Sequence, residues 1–210
     1  MNLEYHGALI AEYPDDYQRQ RISIDLYDFD LYDSSKENND IKIGQITGYY
    51  YDRWFFQGVS NILEYADMED DDEYLIIDTL LSEPIIGAYV NESELHNFIT
   101  IDRLYIFERY RHKDYAMEVM KNIKEIFYNL FHLEPNESVV GLIASPFALR
   151  DGDEIKLDLS LDNIKFFNEG ELKDLPDDIQ ERLIKFYIRA GFSQAKLDST
   201  VLYKLWTTPT

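Results

Sequence analysis

The fold is decided by residues 104–116, Leu104-Tyr105-Ile106-Phe107-Glu108-Arg109-Tyr110-Arg111-His112-Lys113-Asp114-Tyr115-Ala116. They join residues 97–107, rich in Ile and aromatic side chains, to residues 116–131, which carry apolar side chains at helical spacing. This pattern predicts a strand, a basic turn and one long helix. The first free amides of a helix bind phosphate oxygens, and the turn adds the basic side chains Arg109, Arg111, His112 and Lys113 there. The helix start is therefore a candidate anion site; the alternative is that these basic groups merely offset nearby carboxylates.

Four further strands are predicted around this segment. Residues 19–31 alternate apolar and polar side chains, and residues 41–51 repeat the pattern after a polar loop, so the two would form a hairpin. The apolar run 139–144 suits a buried central strand, and residues 201–205 predict a closing strand.

The segment from residue 53 to residue 94 is harder to interpret. Residues 59–68 favour a short helix, whereas residues 74–81 fit either a helix or a strand. The acidic run 69–73 lacks the alternating spacing and the glycine of a calcium-binding loop, which favours a solvated helix cap or turn. Towards the C-terminus, residues 177–190 predict a helix that begins with a capping box and ends at Gly191.

The length of 210 residues predicts one domain spanning residues 1–210, and the 45% of hydrophobic residues suffice for a substantial core. The order of the predicted strands and helices predicts that this domain is α/β. The formal net charge of −21 would repel nucleic-acid phosphates and anionic lipids, so neither nucleic acid nor membrane is an expected partner. The same charge would attract cationic ligands, either amines or basic proteins, although it would also serve simply to keep the protein soluble.

Several classes of site are excluded or not predicted. The chain has no cysteine, which rules out disulfides, thiolate metal sites and cysteine nucleophiles. Its four histidines show no spacing typical of metal ligands, so no metal site is predicted. The N-terminus has no basic start and apolar core of a signal peptide, and no apolar run reaches membrane-spanning length, so we expect a cytoplasmic protein.

Two motifs resemble those of the GNAT superfamily of acyl-CoA-dependent N-acyltransferases. The first is a strand L-x-V followed by a loop R/Q-x-x-G-x-G/A that opens a helix. It is matched here by Leu104 and Ile106 in the strand and by Arg111, Asp114 and Ala116 in the loop. The second, F-Y-x-x-x-G-F, is matched by residues 186–192, about 70 residues further on. The resemblance covers residues 98–206 and implies a mixed, mostly antiparallel sheet flanked by helices, with a helical insert before the cofactor-binding strand.

The resemblance also implies how acetyl-CoA, as co-substrate, would bind. The backbone amides of the loop would hold its pyrophosphate; these are the amides of Arg111, His112, Lys113, Asp114, Tyr115 and Ala116. The backbone of Leu104, Tyr105 and Ile106, exposed where neighbouring strands splay apart, would bind the thioester and the pantetheine. Tyr187 would lie near the sulfur as the general acid; the alternative for Tyr187 is a core aromatic residue on an amphipathic helix.

Two features of the proposed site are left open by the residues. The general base could be Glu108, Asp102 or a chain of waters. Asp114 stands where the family usually has glycine, and its carboxylate would lie near a pyrophosphate, at a cost on the order of 1–4 kcal/mol. Asp tolerates left-handed backbone better than most residues, so the turn itself could survive.

The sequence thus predicts an N-acetyltransferase that moves an acetyl group from acetyl-CoA directly to a primary amine. The acidic surface favours a cationic acceptor, either a small molecule such as a polyamine or aminoglycoside, or a basic protein. The alternative is a catalytically inactive GNAT-fold protein whose acidic surface binds a basic protein partner. A homodimer through an exposed C-terminal strand is also an expectation.

Overall fold

A computed structural model describes residues 3–11, 19–28, 41–52, 56, 59–91, 97–107, 110, 113–133, 137–144 and 178–205. Seven strands form one sheet in the order β1-β2-β3-β4-β5-β7-β6. The strands are β1 (Leu3–Ala11), β2 (Arg19–Asp28), β3 (Ile41–Asp52), β4 (Asn97–Ile106), β5 (Ser138–Ile143), β6 (Ser193–Gln194) and β7 (Val201–Leu205). Only β4 and β5 pair in parallel; every other neighbouring pair is antiparallel. The mostly antiparallel α/β arrangement and the β2–β3 hairpin are therefore confirmed.

Six helices accompany the sheet in the described part of the chain. They are α1 (Val59–Glu69), α2 (Asp71–Ser82), α3 (Pro84–Asn91), α4 (Tyr115–Lys121), α5 (Ile123–Phe131) and α6 (Asp178–Arg189). Residues 74–81, whose sequence fits either a helix or a strand, are helical and belong to α2. The single helix expected over 116–131 is wrong in one respect, because it is divided at Asn122 into α4 and α5.

Alternating side chains on the central strands build one core on each face of the sheet. Ile99 packs in a cluster with α4 and α5, whereas its neighbour Phe98 packs in a cluster with α1 to α3. Helices α1–α3, which lie between β3 and β4 in the chain, therefore cover one face, and α4, α5 and α6 cover the other. Gly141 allows α2 to lie close to β5, since a Cβ atom there would stand 2.5 Å from the Cγ2 atom of Ile76. Among the described helices, none combines the length and apolar character needed to cross a bilayer.

The first strand, β1, was not predicted from the sequence. It pairs with β2 along its whole length and contacts α5. Gly7 makes that contact possible, because a Cβ atom there would stand 2.8 Å from the Cδ1 atom of Leu130. Glycine weakens strand propensity. Gly7 therefore allows β1 to lie close to α5 and also weakens the strand pattern in the sequence.

The acidic run 69–73 is only partly the solvated cap that was expected. Asp70 does cap α2, and its carboxylate accepts hydrogen bonds from the backbone amides of Asp72 and Glu73. The side chain of Glu73, in contrast, is buried and forms a two-point ion pair with the buried Arg19 of β2. This pair joins α2 to the sheet.

Candidate functional site

Strand β4 has a bulge in its middle and pairs with β5 along only part of its length. Its register with β3 shifts at Asp102, which is an extra residue between Ile101 and Arg103. The ladder with β5 ends at the pair Ile101–Leu142, although β4 continues to Ile106. The predicted thioester-binding residues Leu104, Tyr105 and Ile106 thus lie beyond the point where the β4–β5 ladder ends.

The turn after β4 leads into α4 through a left-handed residue. Asp114 is the N-cap of α4 and has φ 58° and ψ 8°, a conformation that glycine adopts freely and aspartate tolerates. Its carboxylate makes no capping hydrogen bond with α4. Lys113 and Asp114 are both exposed, and the Lys113 ammonium lies 5.6 Å from the ring centroid of Tyr110. The backbone at Asp114 therefore has a shape that glycine also adopts, and an exposed carboxylate lies beside it.

The side chain of Tyr115 makes a buried hydrogen bond that the sequence did not predict. It is buried, and its hydroxyl donates a hydrogen bond to the buried carboxylate of Asp28 at the end of β2. The first residue of α4 is thereby fixed to the N-terminal half of the sheet. Ala116, the next residue, lies partly buried against the same core.

Tyr187 lies on α6 and packs into the core that also contains Leu104, Tyr105 and Ala116. Its ring makes edge-to-face contacts with Phe186 and Phe192, at centroid distances of 5.1 and 5.8 Å. Its hydroxyl has no hydrogen-bond partner among the residues that the structure describes. Burial raises the pKa of Tyr187 to about 12, so the hydroxyl keeps its proton at neutral pH. The side chain is thus a core aromatic residue and also an available hydrogen-bond donor.

Asp102, one of the candidate bases, projects from the β4 bulge with a side chain that is 42% exposed. Its Oδ2 atom accepts a hydrogen bond from the Thr47 hydroxyl at 3.3 Å and lies 3.3 Å from Nε of Arg103. Burial raises the pKa of Asp102, helped by the charge of Asp70 and opposed by Arg103, Thr47 and Arg21. A raised pKa makes a carboxylate a better proton acceptor at neutral pH.

The remaining predicted site residues, Glu108, Arg109, Arg111 and His112, lie outside the described residues. The pair Tyr115–Asp28 and the support of Asp102 by Thr47 were not predicted. Each joins residues at least 55 positions apart, so local patterns in the sequence carry no signal for them.

The C-terminal strand β7 pairs with β5 on one side and with β6 on the other, and the homodimer remains a prediction.

No known protein-family model matches the chain, and no curated protein or solved structure is significantly similar to it. Among the described residues, no group of three or more acidic or histidine side chains comes together as metal ligands would.

Proposed function

We propose that this protein is an N-acetyltransferase that transfers an acetyl group from acetyl-CoA directly to a cationic primary amine. The observation that carries the proposal is the left-handed Asp114 immediately before α4, at the position where the resemblance to GNAT enzymes implies glycine. That backbone shape lets a loop approach phosphate oxygens closely. The early end of the β4–β5 ladder supports the same proposal, because the resemblance implies that the strands splay apart beside the thioester.

The described residues suit the steps of a direct transfer. The attacking amine must lose a proton, and Asp102 is a partly exposed carboxylate with a raised pKa on the same strand as Leu104. The acyl carbon forms a bond to the amine nitrogen as its bond to sulfur breaks, and the sulfur leaves as a thiolate. Holding both reactants beside β4 would supply much of the rate by proximity alone. Glu108 remains the other candidate for the base.

Tyr187 would assist the departing sulfur by hydrogen bonding. A phenol whose pKa is about 12 does not give up its proton completely to a thiolate, since a free thiol has a pKa of roughly 8.5. Its contribution would be a hydrogen bond that strengthens as negative charge develops on sulfur. This role needs a hydroxyl that is free to donate, and the Tyr187 hydroxyl has no acceptor among the described residues.

The direct test is calorimetric titration of the purified protein with acetyl-CoA, and with CoA in parallel. We expect a dissociation constant on the order of micromolar for both ligands. Binding would justify screening polyamines, aminoglycosides and basic peptides as acceptors by the release of CoA. Absence of binding at millimolar acetyl-CoA would refute the proposal and favour a non-enzymatic protein that binds a basic partner.

Substitution of Asp114 would show whether the loop meets the pyrophosphate. Asp114→Gly should tighten acetyl-CoA binding roughly tenfold, because it removes a like charge and keeps the left-handed turn. Asp114→Asn is the matched control: it also tolerates left-handed geometry but has no charge. Equal tightening by both variants would assign the effect to charge, whereas unchanged binding in both would mean that the pyrophosphate lies elsewhere.

Removal of the Tyr187 hydroxyl should slow turnover without weakening the binding of acetyl-CoA. We expect Tyr187→Phe to lower kcat tenfold or more, because the leaving sulfur loses a hydrogen bond made mainly in the transition state. The dissociation constant should stay within about twofold of the wild-type value. Tyr128→Phe, at an exposed tyrosine of α5, is the control and should leave kcat unchanged. An unchanged kcat in Tyr187→Phe would reduce Tyr187 to a core aromatic residue.

A further inference from the structure

Lys204 of β7 has an unusual set of partners. Its half-buried ammonium donates hydrogen bonds to three backbone carbonyls: those of Met120 at 3.1 Å, Lys121 at 3.0 Å and Ala190 at 2.9 Å. An ammonium group has three donors, so all of them are used. The first two carbonyls belong to the end of α4 and the third to the end of α6. One side chain thus joins two helices that are distant in sequence.

These contacts lie at the point where the helix after the turn is divided. In an uninterrupted helix, the carbonyls of Met120 and Lys121 would accept hydrogen bonds from amides four residues later. Here they accept from Lys204, and a new helix begins after Asn122. A side chain that enters the helical hydrogen-bond ladder is a known cause of such breaks.

The end of α6 is shaped around the same side chain. Gly191 has φ 90°, and its amide bonds to the carbonyl of Ile188 while the amide of Phe192 bonds to that of Tyr187, which is a Schellman motif. A Cβ atom on Gly191 would stand 3.5 Å from the Lys204 ammonium. Neither of these two bonds uses the carbonyl of Ala190, and Lys204 donates a hydrogen bond to it.

The electrostatic surroundings show that Lys204 is held by these carbonyls and not by a carboxylate. In the part of the chain that the structure describes, none of the ion pairs includes Lys204. Burial, followed by the charge of Lys124 on α5, lowers its pKa to about 8. The last residues of α4 and α6, Lys121 and Arg189, are also positive. Carbonyls at helix C-termini attract cations, and here they offset the cost of the buried charge.

We propose that Lys204 is a positioning residue that holds α4 and α6 in one fixed arrangement. This inference rests on the proposed function, because α4 follows the proposed pyrophosphate loop and α6 carries Tyr187. Without the three hydrogen bonds, the two helices would move independently, and the loop and Tyr187 would no longer be presented together to acetyl-CoA.

Lys204→Met tests the inference, because methionine fills a similar volume but donates no hydrogen bond. Lys124→Met is the matched control: Lys124 is also partly buried, and its ammonium donates to the carbonyl of Leu205 at 2.9 Å, which belongs to β7 and not to a helix end. Lys204→Arg keeps the charge and the donors. Hydrogen exchange at the C-terminal turns of α4 and α6 would be measured without ligand, and acetyl-CoA binding by calorimetry.

We expect exchange to rise at least tenfold in both helix ends of Lys204→Met, and acetyl-CoA binding to weaken at least tenfold. Lys124→Met should leave exchange in α6 and binding unchanged, and Lys204→Arg should recover binding to within about threefold. The inference would be overturned if the exchange rate at the end of either helix were the same in Lys204→Met as in the wild-type protein. Equal effects of Lys204→Met and Lys124→Met would also overturn it. If the wild-type protein binds no acetyl-CoA, the proposed function fails and the exchange data alone decide whether Lys204 joins the helices.

Discussion

Replacing Arg19 by methionine is expected to lower the free energy of unfolding by about 3–5 kcal/mol. Its guanidinium donates to both oxygens of Glu73, at 2.6 and 3.1 Å, and reaches a Glu69 oxygen at 3.2 Å. It also lies 3.6 Å from the ring centroid of Tyr49. Arg19 is 4% exposed and Glu73 5% exposed, so the variant would leave a buried carboxylate without its counterion. Urea denaturation followed by circular dichroism measures the change.

Two further variants separate the buried charge from the loss of side-chain packing. Lys185→Met breaks an exposed ion pair with Glu181 and should cost no more than about 0.5 kcal/mol. The double variant Arg19→Met/Glu73→Leu removes both buried charges and should recover most of the lost stability. A loss below about 1 kcal/mol in Arg19→Met, or no recovery in the double variant, would show that the pair does not anchor α2 to the sheet.

The hairpin strands β2 and β3 could be predicted because each has a periodic signal of its own. The alternation of Ile22, Ile24 and Leu26 places three side chains in one core, and the structure has them fully buried. The turn geometry at Asp114 could also be anticipated, because tolerance of left-handed backbone is a property of the residue itself. These features depend on few residues close together in sequence.

The features that the sequence did not reveal depend on partners far along the chain. The carbonyls of Met120 and Lys121 at the break accept hydrogen bonds from Lys204, more than 80 residues away, and helical periodicity continues across the break undisturbed. Glu73 is one of five consecutive acidic residues, and only the position of Arg19 decides that it is buried. Similarly, nothing near Asp102 in the sequence indicates a bulge, because the shift appears only in the register with Thr47 and Gly48.

Asp102→Asn is expected to lower kcat/KM about 100-fold, which is typical of the loss of a general base. The base must be deprotonated to accept the amine proton, so activity should fall as the pH drops through the pKa of Asp102. Because burial raises that pKa, the acid limb of the wild-type profile should lie above the range of an ordinary aspartate. Release of CoA with an acceptor amine, measured from pH 4 to pH 8, would show the limb in the wild-type protein and its loss in Asp102→Asn.

Thr47→Val is the variant that distinguishes titration of Asp102 from a general loss of structure. The Thr47 hydroxyl donates to the Asp102 carboxylate at 3.3 Å and lowers its pKa, so valine should raise that pKa further. The acid limb should then move to higher pH while activity at high pH stays within about threefold of wild type. An acid limb that remains in Asp102→Asn, or that does not move in Thr47→Val, would transfer the role of base to Glu108 or to water. The direction of the shift thus tests both the residue and the physical cause assigned to it.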